Sequence, residues 1–127
     1  LLTDDIAKLL VRDEVLPGDV MLELAAPALS GVVEVTHSDV NDSLLELSAL
    51  GVTKGTTLAL LAQRWGIAQD EVVAFGDMPN DVEMLRWAGT GYAVGNAHPM
   101  VLAAADVHAP SIEDDGVALV LEELLSL

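Results

Sequence analysis

The apolar positions of this chain change rhythm part-way along it. Ile6 to Val11 run almost unbroken, with only Lys8 intervening, and predict a strand that ends at Arg12-Asp13. Pro17 suits the first turn of a helix, and Val20, Met21, Leu24, Ala25 and Ala28 follow at helical spacing until Ser30-Gly31 stops it. Val32 to His37 and Leu44 to Ser48 flank the polar run Ser38-Asp39-Val40-Asn41-Asp42-Ser43. Its Asn and Asp residues favour turns, so the pair predicts a β-hairpin. The first part reads β, α, β, β.

Beyond Gly51 strands and helices alternate. Thr53 can cap a helix carrying Leu58, Leu61, Ala62 and Trp65 on one face and ended by Gly66. Glu71 to Phe75 is nearly all apolar after its first residue, as a strand covered on both faces must be, and runs into Gly76-Asp77-Met78-Pro79-Asn80-Asp81. Val82, Met84, Leu85 and Ala88 predict a short helix closed by Gly89. A strand at Tyr92–Val94, a helix from Pro99 to Ala105 and a strand at Val107–Ala109 follow. Asp115 or a neighbour starts a last helix, with Val117, Val120, Leu121, Leu124 and Leu125 inward. This alternation implies right-handed crossovers and a parallel sheet, hence an α/β fold. No repeat or low-complexity linker is evident, and the change of rhythm near residues 48 to 52 is the candidate boundary.

Composition narrows the function classes. At 127 residues and 52% hydrophobic content, the chain can bury roughly two-thirds of its unfolded surface. Five Lys and Arg against 21 Asp and Glu leave a formal charge of -16, which repels phosphate backbones and anionic membranes. Nucleic acid and membrane surfaces are therefore not expected partners. Without cysteine there is no disulfide framework, thiol nucleophile or Cys-based zinc site. Polar residues interrupt every apolar stretch before the roughly 18 residues a membrane span needs, and a soluble, cytoplasmic protein is expected. Leu1-Leu2-Thr3-Asp4-Asp5 has neither an initiator Met nor a signal-peptide pattern, and reads as the middle of something longer.

Two features could carry chemistry. Asp77 stands just beyond the carboxyl end of an apolar strand, where open α/β sheets bind ligands, with Asn80 and Asp81 following at a helix start. Asp77 and Asp81 could converge on one hard cation, and Mg²⁺ accepts one or two carboxylates while keeping waters and substrate oxygens. The plainer alternative makes Asn80 or Asp81 a helix cap and Asp77 a solvated acid. Lys54 is the second feature. It lies in a first helical turn, where the helix dipole disfavours a cation, so another group must want its charge. Beside it Gly55 permits close approach of a ligand or another backbone. A lysine among carboxylates can neutralise a phosphoryl group; a flexible surface lysine is the alternative. His37, His98 and His108 have no metal-ligand spacing and are read as structural, Trp65 and Trp87 as packing residues, and Gly95-Asn96 as a turn at the same sheet edge as Asp77.

The run Gly51-Val52-Thr53-Lys54-Gly55, then Gly76-Asp77-Met78-Pro79-Asn80-Asp81 with Met84-Leu85 and Ala88-Gly89, resembles the Cof-type phosphatases of the haloacid dehalogenase superfamily. Ala93-Val94-Gly95-Asn96-Ala97, Ala105-Asp106 and Glu113-Asp114-Asp115-Gly116-Val117-Ala118 continue the pattern in order. The resemblance implies a HAD-like, Rossmann-type parallel-sheet core half over residues 49–127, preceded over residues 1–48 by the end of an inserted α+β cap. It further implies that Lys54 contacts the phosphoryl group, that Asp77 is a Mg²⁺ ligand, that Asp81 supports the metal directly or through water, and that Asn80 lines the phosphate site. The implied reaction is Mg²⁺-dependent hydrolysis of small phosphomonoesters, sugar phosphates or related metabolites, through an aspartyl-phosphate. The family's Asp-x-Asp pair, which supplies nucleophile and general acid/base, does not occur in these 127 residues. The nucleophile is thus expected outside them, and the fragment alone is expected to be inactive. A noncatalytic acidic α/β module binding a cation or a protein is the competing reading.

Overall fold

A computed structural model of the chain describes residues 6–39 and 43–126. The fold is α/β, in two compact units, Leu1–Thr53 and Lys54–Leu127.

In the first unit β1 (Leu9–Arg12), α1 (Gly18–Ala28), β2 (Val33–Thr36) and β3 (Leu44–Ala49) follow the expected β, α, β, β order. The sheet is antiparallel with β3 central; Leu9 pairs with Leu47 on one side and Val33 with Ala49 on the other. The hairpin is therefore present, and residues 40–42 of its turn lie outside the described residues. α1 packs on β2 and β3, with Met21 and Leu45 buried. Its inner face differs from the expected one: Val20, Leu24 and Ala28 are exposed, while Leu22, Ala25 and Leu29 join Met21 on the covered side. His37 is fully buried, and its Nε2 lies 2.8 Å from Asp19 Oδ1.

The second unit is a parallel sheet, β4 (Val73–Gly76), β5 (Thr90–Ala93) and β6 (Val107–His108), in that spatial order. Val73 pairs with Thr90 and Tyr92 with Val107, and the Phe75 and Tyr92 rings stack at 5.0 Å. The connections run through α3 (Val82–Trp87) and α4 (Pro99–Leu102); α2 (Lys54–Trp65) precedes the sheet and α5 (Gly116–Leu125) follows it. The core is made of small aliphatic residues, Ala74, Val82, Leu85, Ala93 and Val101 among them, with Leu85 and Val101 fully buried. Such residues let a short helix sit close over a short sheet.

Several expectations are corrected. Glu71 belongs to a helical turn over Gln69–Glu71 and β4 starts only at Val73, itself 40% exposed. Trp65 is 68% exposed, because α2 turns Gly55 and Ala62 inward instead. Leu61 is exposed with it, and both line an open groove of about 300 Å³ with Leu58, Ile67, Val72 and Val73. On α5 only Val117 and Val120 are half-buried; Leu121, Leu124 and Leu125 face outward. α4 is shorter than expected, ending at Leu102. No described helix is long and apolar enough to cross a membrane.

Candidate active site at the carboxyl end of β4

Parallel pairing puts the carboxyl ends of β4, β5 and β6 on one edge, and the loops there are tied together. Val94 N donates to Gly76 O at 3.2 Å, His98 N to Asp77 O at 2.8 Å, Gly95 N to Pro110 O at 3.2 Å and Ile112 N to Asn96 Oδ1 at 3.2 Å. Asn96 thus spends its side-chain oxygen on the neighbouring loop, as a turn residue does. His98 Nδ1 accepts from Met100 N at 3.1 Å and so caps α4, a role the His98-Pro99 pair at a helix start could have signalled. The backbone bond from His98 to Asp77 had no sequence signal, since any residue except proline could donate it.

Asp81 is the hub. Its side chain is almost wholly buried, and the carboxylate meets three donors: Lys54 Nζ at Oδ1, and the backbone N–H groups of Asp77 and Met78, each 3.1 Å from Oδ2. A buried carboxylate is tolerable only when paired and hydrogen-bonded in this way. Lys54 Nζ also donates to Asn80 Oδ1 at 3.3 Å. Four of the residues singled out in the sequence therefore meet. Lys54, Asn80 and Asp81 touch through side chains, and Asp77 joins them through its backbone N–H.

One detail revises the sequence reading. Asp81 does not cap α3 with its side chain but folds back to hold the Asp77–Met78 loop. Gly76, which opens the loop, does not have a positive φ. It is needed for proximity: a Cβ there would lie 2.6 Å from Asp81 Cβ and 3.1 Å from its Cγ, displacing the hub.

The Asp77 carboxylate is exposed and bears no hydrogen bond among the described residues. The open carboxylate of Asp77, on a tethered sheet edge, offers oxygen ligands of the kind a small hard cation takes while keeping waters or substrate oxygens in its shell; the Lys54 ammonium offers it none. Asp81, with both oxygens engaged, is less available to such an ion than Asp77 is.

The chain is similar to known proteins. The profile of haloacid dehalogenase-like hydrolases matches residues 2–121. An Escherichia coli relative, the 5-amino-6-(5-phospho-D-ribitylamino)uracil phosphatase YbjI, is 38% identical over 115 residues, 91% of this chain and 41% of that protein. Among solved structures, SMU.1108c from Streptococcus mutans superposes with a TM-score of 0.81 at 31% identity, over 95% of this chain and 45% of its own. The HAD subclass IIB sugar phosphatase BT4131 gives a TM-score of 0.80 at 25% identity, over 98% and 45%. The chain spans about 40% of the length of several curated relatives it matches, and less of others. With its profile covering nearly all of the sequence and its α/β architecture shared with these structures, the chain belongs to the haloacid dehalogenase-like hydrolase family.

Proposed function

We propose that the protein carrying this chain is a Mg²⁺-dependent, cytoplasmic phosphatase of small phosphomonoesters, sugar phosphates or related metabolites, and that residues 49–127 form the carboxyl-terminal half of its core and residues 1–48 the end of its cap. The observation that carries the reading is the convergence of Lys54, Asn80 and Asp81 at the carboxyl end of β4, with Asp77 joined to Asp81 through its backbone N–H and its carboxylate exposed. The names of the E. coli phosphatase and of the sugar phosphatase support the substrate class.

Each residue has a distinct task. Lys54 presents its ammonium to the phosphoryl oxygens, and Asp81 holds that ammonium in place while offsetting its charge. Asn80 accepts from Lys54 through Oδ1, which leaves its amide N–H groups to donate to a phosphate oxygen. Asp77 would hold Mg²⁺ directly and Asp81 would act on it through water. When bound, the ion neutralises charge developing on the phosphoryl group. The nucleophilic carboxylate, which forms the aspartyl-phosphate that water then opens, lies outside residues 1–127; no Asp-x-Asp pair occurs within them.

The test is phosphate release from an aryl phosphate by the protein as its gene encodes it. Asp77→Asn is expected to abolish the Mg²⁺-dependent rate, and an unchanged rate would refute the assignment.

A further inference from the structure

Gly55 is buried in the first turn of α2, next to Lys54, and its own φ does not require glycine. Glycine is a poor helix former, so its presence there asks for a reason. The reason is in the opposing helix. A Cβ on Gly55 would lie 2.5 Å from the Glu83 carbonyl oxygen, 2.7 Å from the Glu83 carbonyl carbon and 3.0 Å from Met84 N, all backbone atoms of the first turn of α3. No rotamer change relieves a backbone collision. To restore ordinary contact, which begins near 3.4 Å, α2 would have to withdraw by about 0.9 Å.

The residues on either side of this contact are those of the site. Lys54 precedes Gly55, while Asn80 and Asp81 immediately precede α3. We propose that Gly55 is a positioning residue: by bearing no side chain it lets α2 lie backbone-to-backbone on α3, and that spacing holds the Lys54 ammonium on Asn80 and Asp81 together. A lysine stem can stretch to follow one partner when its helix withdraws. It cannot keep the same angle to two acceptors and still face the phosphoryl group. Misplacement of a catalytic group by about 1 Å can cost roughly a hundredfold in rate.

The inference rests on the phosphatase reading for its kinetic consequence, but its geometry is readable without turnover. In the gene-encoded protein, Gly55→Ala is compared with Gly89→Ala, whose Cβ would meet Asp70 Cα at 2.6 Å and Gln69 O at 2.7 Å, a matched backbone collision at the far end of α3. The readouts are kcat and KM for an aryl phosphate, the thermal midpoint, and the side-chain ammonium signal of Lys54 in ¹H–¹⁵N spectra, assigned with Lys54→Arg. Asp81→Asn gives the reference spectrum for a broken pair. Gly55→Ala is expected to fold, to lose about a hundredfold in kcat, and to shift or lose the Lys54 signal as Asp81→Asn does. Gly89→Ala is expected to lower the midpoint comparably while keeping both kcat and the signal. An unchanged Lys54 signal in Gly55→Ala, a Gly55→Ala protein that does not fold, or an equal kcat loss in Gly89→Ala would overturn the proposal. Full activity in Lys54→Met would instead refute the phosphatase assignment of Lys54, leaving the ammonium signal to decide the role of Gly55.

Discussion

At the residue scale the energetics centre on Asp81. Its carboxylate oxygens face only donors, the ammonium of Lys54 on one side and two backbone N–H groups on the other. Asp81→Asn keeps the shape but must turn its own N–H₂ group towards one of those donors, leaving buried donors opposed and unsatisfied. A loss of about 1–3 kcal/mol is expected for that change. Lys54→Met removes one partner and leaves both backbone bonds, and the Lys54 side chain is 48% exposed, so water replaces part of the lost interaction. Its cost should be smaller, about 1 kcal/mol. Chemical denaturation of the two variants tests the ranking; a cost for Asp81→Asn no greater than that for Lys54→Met would mean that water already reaches the carboxylate. The spacing of Asp77, Asn80 and Asp81 after an apolar strand was enough to single these residues out. It could not say which carboxylate stays open and which is consumed internally, because that depends on Lys54, 27 positions away.

At the element scale, order and type were largely legible because helix and strand periodicities differ. Which face each element buries was less so. Leu61, Trp65, Leu121, Leu124 and Leu125 are apolar at helical spacing yet exposed, while Gly55, Ala62 and Gly116 take the inward positions. Hydrophobicity ranks side chains by transfer energy, whereas close helix packing selects small ones, and here the second criterion prevails. Short connections are governed by single residues. Between β1 and α1, Asp13 Oδ1 accepts from Val15 N and Leu16 N, both at 2.7 Å. The bond from Leu16, then that from Val15, holds the Asp13 carboxyl below its ordinary value of 3.8. A depressed carboxyl contributes stability above the unfolded value and loses it as pH falls through the folded one. The thermal midpoint of the parent should therefore exceed that of Asp13→Ala most at neutral pH, and the gap should close as pH falls below 3.8. A gap independent of pH between neutrality and strong acid would show that the turn does not depend on the ionised form.

At the scale of the whole molecule, net charge exerts an influence that no single contact reveals. Even if all five Lys and Arg side chains were paired, 16 of the 21 acidic groups would remain uncompensated. At low salt, with a Debye length of about 30 Å near 0.01 M, these groups repel one another across each folded unit; near 0.15 M the range falls to about 8 Å. Sodium chloride should therefore raise the thermal midpoint, whereas a fall would mean that pairs such as Lys8–Glu46 and Lys54–Asp81 outweigh the net repulsion. Magnesium chloride at matched ionic strength separates general screening from a site. Divalent ions also gather nonspecifically around so acidic a surface, and that part should be nearly the same in Asp77→Asn, which changes one charge among many. Binding to the folded state alone adds a midpoint shift that grows with the logarithm of ion concentration above Kd. The parent should show this added shift and Asp77→Asn should not. Equal Mg²⁺ shifts in the two proteins would count against an Asp77 metal site, because the ion would then be reading only the overall field.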